Sequence, residues 1–304
     1  MTVAEARAAP ERGFLVGALY VLAAGVSWSF TGIFLRLAPD LDSWQFLVWR
    51  NLGIACAFAI ILRARGAGPL LPRFIVTGPA GVIVALALCL SSISFIFAMK
   101  ATTVANALFL SSCAPLLAAL LGYAFLGERL SLRQAGSVAL GLAGLGVIVG
   151  GALEAGHLAG NVSAVLTALG FAGASVAMRH GPRRDYSPSV FAYGLIACAL
   201  STGVCLAKGT TLFPSPSGVM AAFSAGFLVM GLGFALFLRG APHVPAAAQT
   251  VLAQTETIFG PIWVWLAFGE TPASATLIGG AIILAAVVSM AAAGAGPRSL
   301  SRAS

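Results

Sequence analysis

Two ionisable side chains, Arg50 and Glu256, stand inside long apolar runs of the sequence. Charged groups at membrane depth are energetically costly, and they mark substrate sites, proton relays or pairs between helices. At 1.5 Å of helix rise per residue, Glu256 lies about 16 Å inside its run, close to the middle of a bilayer. Three roles follow for its carboxyl group: binding a substrate's ammonium group, carrying a coupling proton, or hydrogen-bonding between helices.

Arg50 lies nearer the start of its run, about 10 Å from the end of a helix. We expect its long side chain to extend outward to the membrane interface, as arginine side chains near helix ends do. The alternative is that Arg50 faces inward and binds a substrate carboxylate or Glu256, although the estimated depths of the two residues differ by roughly 8 to 10 Å.

Polar and aromatic side chains at similar depths complete the candidate site. Serines and a glutamine at mid-run offer hydrogen-bonding groups, and three aromatic residues next to polar positions offer an apolar wall for a bulky side chain. For the aromatic residues, packing between helices is the alternative. The predicted substrate-binding residues are Trp28, Ser91, Phe95, Ser111, Ser112, Phe171, Gln254 and Glu256.

The composition defines the elements that must position these residues. Of 304 residues, 59% are hydrophobic and only 9% are charged, far too few to coat a soluble surface. Ten charge-poor runs are each near the roughly 20 residues that cross a bilayer as a helix. They cover residues 14–35, 43–62, 74–99, 104–126, 134–151, 158–178, 187–207, 217–238, 245–268 and 273–293. The sequence therefore predicts an all-α integral membrane protein embedded in a lipid bilayer.

Basic residues predict its orientation. Thirteen of the seventeen Lys and Arg residues fall on one side of the ten spans and three on the other, with Arg50 inside a span. Because cytoplasmic loops are enriched in Lys and Arg, both the 1–13 and the 295–304 tails are predicted to be cytoplasmic. We expect a multi-pass protein of the bacterial inner membrane.

Several function classes are excluded by what the spans contain. The net charge of +8 comes from basic residues scattered at span edges, which argues against a nucleic-acid partner. Cysteines and histidines show no metal-ligand spacing, and no P-loop is present, so we expect no metal, cofactor or direct use of ATP. No pair of intraspan aspartates, HExxH motif or serine nucleophile elbow supports an intramembrane enzyme.

The chain repeats itself with an offset near 143 residues. Residues 17–36 align with 160–179, and Gly127-Glu128 aligns with Gly269-Glu270 at an offset of 142. The repeat predicts two halves of five spans, 14–153 and 154–294. Because five is odd, the second half crosses the membrane in the opposite sense, an arrangement typical of transporters with a central cavity.

The segment from Pro115 to Gly127-Glu128, followed by a glycine-rich span from Gly136, resembles the repeated EamA unit of the drug/metabolite transporter superfamily. The resemblance covers nearly the whole chain, and bacterial YddG-type exporters of amino acids look most similar. It implies ten helices in two inverted repeats and export of small metabolites. The sequence departs at Glu256-Thr257, where the family often has Glu-Pro; the proline is displaced to Pro261.

Together, the repeat and the resemblance predict a carrier that exports small metabolites, amino acids including aromatic ones above all, by alternating access. A passive channel-like facilitator, an exporter of other drugs or metabolites, and more distantly an intramembrane enzyme are the alternatives. Proton coupling stays open. The pair Gly146 and Gly150 indicates close helix packing, either within the chain or in a weak dimer, so the expected state is a monomer or weak dimer.

Overall fold

The fold is described from a computed structural model. The backbone is described for residues 3–66, 68, 70–127, 130–154, 158–180, 185–244 and 246–294. Side chains are described in the same ranges, apart from those at 3–12, 70, 71, 73, 151–154, 179, 180, 246–248, 250, 293 and 294. Glu128, which the repeat sets against Glu270, lies outside the described residues.

Every regular element in the described ranges is a helix, and ten helices are long and apolar enough to cross a membrane. The first five are α1 (Val3–Ser29 and Thr31–Arg36), α2 (Ser43–Ala64), α3 (Gly78–Ala101), α4 (Val104–Ser111 and Ala114–Leu126) and α5 (Leu132–Glu154). The second five are α6 (Leu158–His180), α7 (Ser187–Ala207), α8 (Pro216–Ser224, a π-helical segment Ala225–Met230, Gly231–Gly240 and a 3-10 turn Ala241–His243), α9 (Ala246–Ala253 and Thr255–Phe268) and α10 (Ser274–Gly294). The predicted all-α membrane fold of ten spans is confirmed.

One predicted span is longer than the helix that forms it. The third run was expected from residue 74, but a separate short helix, Leu70–Val76, precedes α3. Gly78 adopts a φ of 67°, a left-handed conformation that glycine tolerates, and it separates the two helices. Apolar composition continues across this turn, so the hydropathy pattern does not reveal it.

The helices pack in pairs that respect the repeat. α1 packs along α8, α3 along α6, α2 along α7 and α5 along α10. Exchanging the two halves turns α1 into α6 and α3 into α8, and this set of pairs is unchanged. The packing therefore has the internal symmetry that a duplicated chain predicts. The opposite orientation of the halves in the membrane, and the domain boundaries at 13, 153 and 294, stay predictions.

Both fourth helices of the repeat, α4 and α9, are broken near the middle. α4 breaks at Ser112 and Cys113, just before Pro115, whereas α9 breaks at Gln254 and keeps Pro261 inside its second segment. Each then ends at a left-handed glycine, Gly127 with φ 67° and Gly269 with φ 70°. The two breaks and the two terminal glycines are each separated by the 142-residue offset.

Small residues bring two pairs of helices close together. A Cβ atom on Gly226 in the π-helical segment of α8 would lie 1.8 Å from the backbone oxygen of Arg50 in α2. Likewise, a Cβ on Gly144 would lie 2.8 Å from the oxygen of Gly279, so α5 and α10 meet there. The predicted packing pair, Gly146 and Gly150, has no atom within 4 Å of an added Cβ and faces open space instead.

Candidate substrate cavity

A cavity of about 620 Å³ lies between the two halves of the bundle. Sites for small molecules in proteins have volumes of about 300 to 1,000 Å³. The cavity is lined mainly by apolar and aromatic side chains, with a few polar groups, and each of the ten helices contributes at least one described residue to its wall. Its size therefore suits a small metabolite.

All eight residues predicted for the site line this one cavity: Trp28, Ser91, Phe95, Ser111, Ser112, Phe171, Gln254 and Glu256. They come from five different helices and from both halves of the chain. The structure thus brings together eight side chains for which the sequence predicts similar depths in the membrane. Their role as substrate ligands stays a prediction.

The hydroxyls of the three predicted serines donate to backbone oxygens of helices. Ser91 Oγ donates to the Thr167 oxygen at 3.0 Å, joining α3 to α6, and Ser111 Oγ donates to the Ala164 oxygen at 3.3 Å. Ser112 Oγ donates to the Phe109 oxygen at 2.6 Å within its own helix. Since each hydroxyl proton is already used, these serines offer a ligand mainly acceptor lone pairs.

The broken segments of α4 and α9 meet at the cavity. Gln254 Nε2 donates to the backbone oxygen of Ser112 at 3.4 Å, and these two residues are separated by 142 positions. Gln254 Oε1 accepts a hydrogen bond from Thr257 Oγ1 at 3.0 Å. The expected meeting of the polar clusters of both halves is therefore present, at positions that the repeat makes equivalent.

Glu256 is the second residue of the second α9 segment, and its side chain is partly exposed. α9 approaches α1 closely here, because a Cβ on Gly25 would lie 3.0 Å from Thr255 Cβ. Among the described residues, ion pairs within 4.0 Å join only Arg36 to Glu270 and Arg65 to Asp185. Glu256 therefore lines the cavity with no cation of the described part of the chain within 4.0 Å of its carboxylate.

Arg50 does not extend outward, so the expected position of its side chain at the membrane interface is wrong. It is only 1% exposed and lines the same cavity as Glu256, with which it interacts electrostatically. Its Nη1 donates to Ser92 Oγ at 2.7 Å, and Ser92 Oγ donates to Asn51 Oδ1 at 3.1 Å.

The chain around the start of α2 explains why Arg50 turns inward. Gln45 Nε2 donates to the Thr211 oxygen and Trp49 Nε1 donates to the Leu212 oxygen, at 2.8 and 2.7 Å. The connection between α7 and α8 therefore covers the first turns of α2. An estimate of depth along the helix cannot include this long-range cover, which keeps Arg50 away from the interface.

Trp28 packs within an aromatic cluster and does not stand alone in the wall. Its ring centroid lies 5.3 Å from that of Phe234 and 5.7 Å from that of Phe237, both on α8. Tyr193 of α7 also packs against Phe234, with centroids 6.2 Å apart. Sequence reasoning missed these three cavity residues, because no neighbouring polar group distinguishes them from ordinary packing residues.

The cavity extends toward one end of the bundle. Wall residues at that end lie near the last turns of α6, α8 and α10 or near the start of α5: Leu130, Gln134, Met178, Leu238 and Met290. None of the described residues in the last turns of α1 and α3, at the opposite end, lines it. There, Gly32 packs between valines, since an added Cβ would lie 2.9 Å from both Val104 Cγ1 and Val264 Cγ2.

An ion pair lies beyond these valines. Arg36 Nε lies 2.9 Å from Glu270 Oε2, and Arg36 Nη1 donates to the Met99 oxygen at 3.2 Å. Glu270 Oε1 accepts the backbone N–H of Val104 at 2.6 Å, so its negative charge lies at the N-terminus of α4, where a helix dipole stabilises it. We call Arg36, Glu270 and the Val104 amide the latch; it joins α1, α3, α4 and α9 at the closed end.

The ten-helix fold and the central cavity define a multi-pass membrane transporter. The chain belongs to the EamA-like transporter family, whose model matches residues 15–150 and again residues 158–292. The resemblance to the EamA unit is thereby confirmed in both halves, and the family indicates a transporter rather than an enzyme. The narrower likeness to YddG-type exporters stays a prediction.

Similar proteins agree with this family. The chain is 26% identical over 245 residues to the pseudopaline exporter CntI of Pseudomonas aeruginosa, in strains UCBPP-PA14 and PAO1, covering 81% of this chain and 80% of the relative. A solved crystal structure with 19% identity matches 93% of this chain and 100% of its own, with a TM-score of 0.66. At that identity, the structural match shows the fold alone.

Proposed function

We propose that this protein exports small metabolites from the cytoplasm across the bacterial inner membrane by alternating access, with amino acids and related compounds as its main substrates. The observation that carries the proposal is the shape of the cavity, which extends to one end of the bundle and is closed at the other by the latch. In a carrier of two repeats, rocking of the halves would close the open end and open the closed one.

The charge distribution supports the direction of transport. The described ends of α2, α6 and α8 and the start of α5 lie at the open end, and the sequence adjoining them is rich in arginine, so the positive-inside rule favours a cytoplasmic position for this end and for both termini. The latch then lies at the periplasmic face. On this assignment the cavity loads from the cytoplasm and releases its substrate into the periplasm once the latch opens.

The relative in Pseudomonas aeruginosa supports export as the physiological direction, since its name describes an exporter of pseudopaline. The aromatic wall formed by Trp28, Phe95, Phe171, Phe234 and Phe237 suits substrates with an apolar part, such as aromatic amino acids.

A passive facilitator is the main alternative function. Val104 and Val264 pack on Gly32, the Arg36–Glu270 pair lies beyond them, and none of these residues lines the cavity, which favours a carrier over an open channel. Either class would still show downhill transport of substrate. Only kinetics and coupling distinguish them.

The test is a substrate screen in proteoliposomes containing the purified protein. We expect saturable uptake and counterflow of amino acids, since a carrier exposes its site to one side at a time. Accumulation of substrate driven by an imposed pH gradient would show that transport is coupled to protons. Equal final substrate levels with and without the gradient would indicate facilitated diffusion. Non-saturable flux without counterflow would contradict the carrier proposal, and empty liposomes are the control.

A further inference from the structure

We propose that Arg50 binds the carboxylate of the substrate and Glu256 binds its amino group, so that the cavity selects compounds carrying both charges. This inference rests on the proposed function and names its substrate class. Arg50 and Glu256 are the two formally charged residues among the described cavity-lining residues. They come from different halves of the chain and have opposite signs, as a site for a zwitterion requires.

The guanidinium group of Arg50 has N–H donors that no residue of the described chain uses. Its hydrogen bond from Nη1 to Ser92 uses one of the five N–H donors that the group carries. Nε is buried without a hydrogen-bond partner among the described residues. A buried charged donor left without an acceptor is costly. A ligand carboxylate, which accepts two parallel bonds from arginine, would satisfy these donors.

The surroundings of Arg50 hold it in place for such a ligand. Ser92 bonds to Asn51, whose Nδ2 in turn donates to the Leu47 oxygen at 2.8 Å, and Asn51 is completely buried. On the other side, Gly226 packs directly on the backbone of Arg50. The side chain is thereby fixed in a packed, hydrogen-bonded setting, which lowers the entropy lost when a ligand binds.

The space between the two charges favours a ligand over a direct ion pair. Arg50 and Glu256 interact electrostatically, yet they are not among the ion pairs within 4.0 Å found in the described residues. A purely structural pair at membrane depth would gain most by direct contact, because its attraction grows as the dielectric falls. Both side chains instead line one cavity, where the carboxylate and the ammonium of a single substrate would each meet the opposite charge.

The experiment measures binding by the purified protein, separately from transport. The probes are phenylalanine, phenethylamine, which lacks the carboxylate, and 3-phenylpropionate, which lacks the amino group. We expect the wild-type protein to bind phenylalanine about ten- to a hundredfold more tightly than either analogue, the range expected for one charged hydrogen-bonded contact. Arg50→Gln should abolish the preference over phenethylamine, and Glu256→Gln the preference over 3-phenylpropionate.

Two further variants serve as controls for the binding experiment. Arg65→Gln removes an arginine outside the cavity and should leave all three affinities unchanged. If Arg50→Gln does not fold, Arg50→Lys, which keeps the charge but loses the two-pronged geometry, should reduce the same preference in part. Unchanged preferences in folded Arg50 and Glu256 variants, or a wild-type protein that does not discriminate among the probes, would overturn the inference.

Different results would contradict the proposed export function and the proposed binding by Arg50 and Glu256. Transport of phenylalanine and phenethylamine at equal efficiency would overturn the charge-pair inference and leave the exporter intact. Selective binding of phenylalanine without any saturable transport would contradict the export function and would still support the binding site. A Glu256→Gln variant that loses only its response to a pH gradient would assign Glu256 to proton transfer and contradict its role with the amino group.

Discussion

Arg36 Nε lies 2.9 Å from Glu270 Oε2, so an ion pair joins the end of α1 in the first half to the end of α9 in the second. The same carboxylate accepts the Val104 amide at 2.6 Å and therefore also holds the start of α4. Three helices, whose separation would open the closed end in the proposed alternating access, are thus connected through one side chain. This makes the latch the natural place to shift the balance between conformations.

We predict that Glu270→Gln weakens closure of this end without unfolding the protein. Both side chains of the ion pair are partly exposed, so its loss should shift the population of the two conformations by only about two- to fivefold. The measurement is the labelling rate of a cavity cysteine by a membrane-impermeant thiol reagent from the periplasmic side, which should rise. Arg65→Gln, which breaks the longer Arg65–Asp185 pair at 3.8 Å, is the control and should have no effect.

The sequence repeat extends this prediction to the other end. Residues 160–179 align with 17–36 and Glu128 aligns with Glu270, so Arg179 and Glu128 are the counterparts of Arg36 and Glu270. Their side chains lie outside the described residues, and the prediction rests on the repeat alone. Glu128→Gln should shift the labelling balance in the direction opposite to Glu270→Gln. Equal shifts in one direction would contradict functional equivalence of the two repeats.

Gly233 should control the position of Trp28. A Cβ atom at residue 233 would lie 2.1 Å from Trp28 Nε1, so Gly233→Ala must displace the indole from α8. Overpacking of this kind costs about 1–3 kcal/mol. We expect transport of aromatic substrates to fall relative to small ones, measured by competition in proteoliposomes. Gly146→Ala is the matched control, since an added Cβ there meets no atom within 4 Å.

Asn51 should act on binding through Arg50. Asn51→Ala removes the acceptor of the Ser92 hydroxyl, and we expect the free energy of unfolding to fall by about 1–3 kcal/mol and the affinity for phenylalanine to fall several-fold. Phenethylamine binding should not change. Asn106→Ala is the control: Asn106 is also buried, bonding to Asn161 and Thr276, but does not line the cavity. If both variants affect binding equally, Asn51 has no specific positioning role.

The sequence predicts the helices and much of the wall because both depend on local information. Spans follow from apolar length, and depth within a span places Glu256, Gln254 and the serines at one level. The pairing of Arg36 with Glu270 joins residues 234 positions apart. The contacts that cover the start of α2, and with it Arg50, join residues 166 and 163 positions apart. Neither periodicity nor depth contains that information.

Aromatic residues show the same limit. Trp28 is recognisable because serines flank it, whereas Phe234 and Phe237 stand in a glycine-containing apolar run. Their side chains reach the cavity only because α8 packs along α1, with Gly233 against the indole. Such a role follows from tertiary packing and cannot be read from the neighbouring residues.

The most direct test of alternating access is the sidedness of a single cavity position. Ser111→Cys, in a protein whose five native cysteines are replaced, places a thiol at a partly accessible residue of the wall. An impermeant thiol reagent is applied from either side of oriented membrane vesicles, with and without substrate. Alternating access predicts rapid labelling from the cytoplasmic side without substrate and increased periplasmic labelling when cytoplasmic substrate drives turnover. Equal labelling from both sides regardless of substrate, or labelling from one side under every condition, would contradict it.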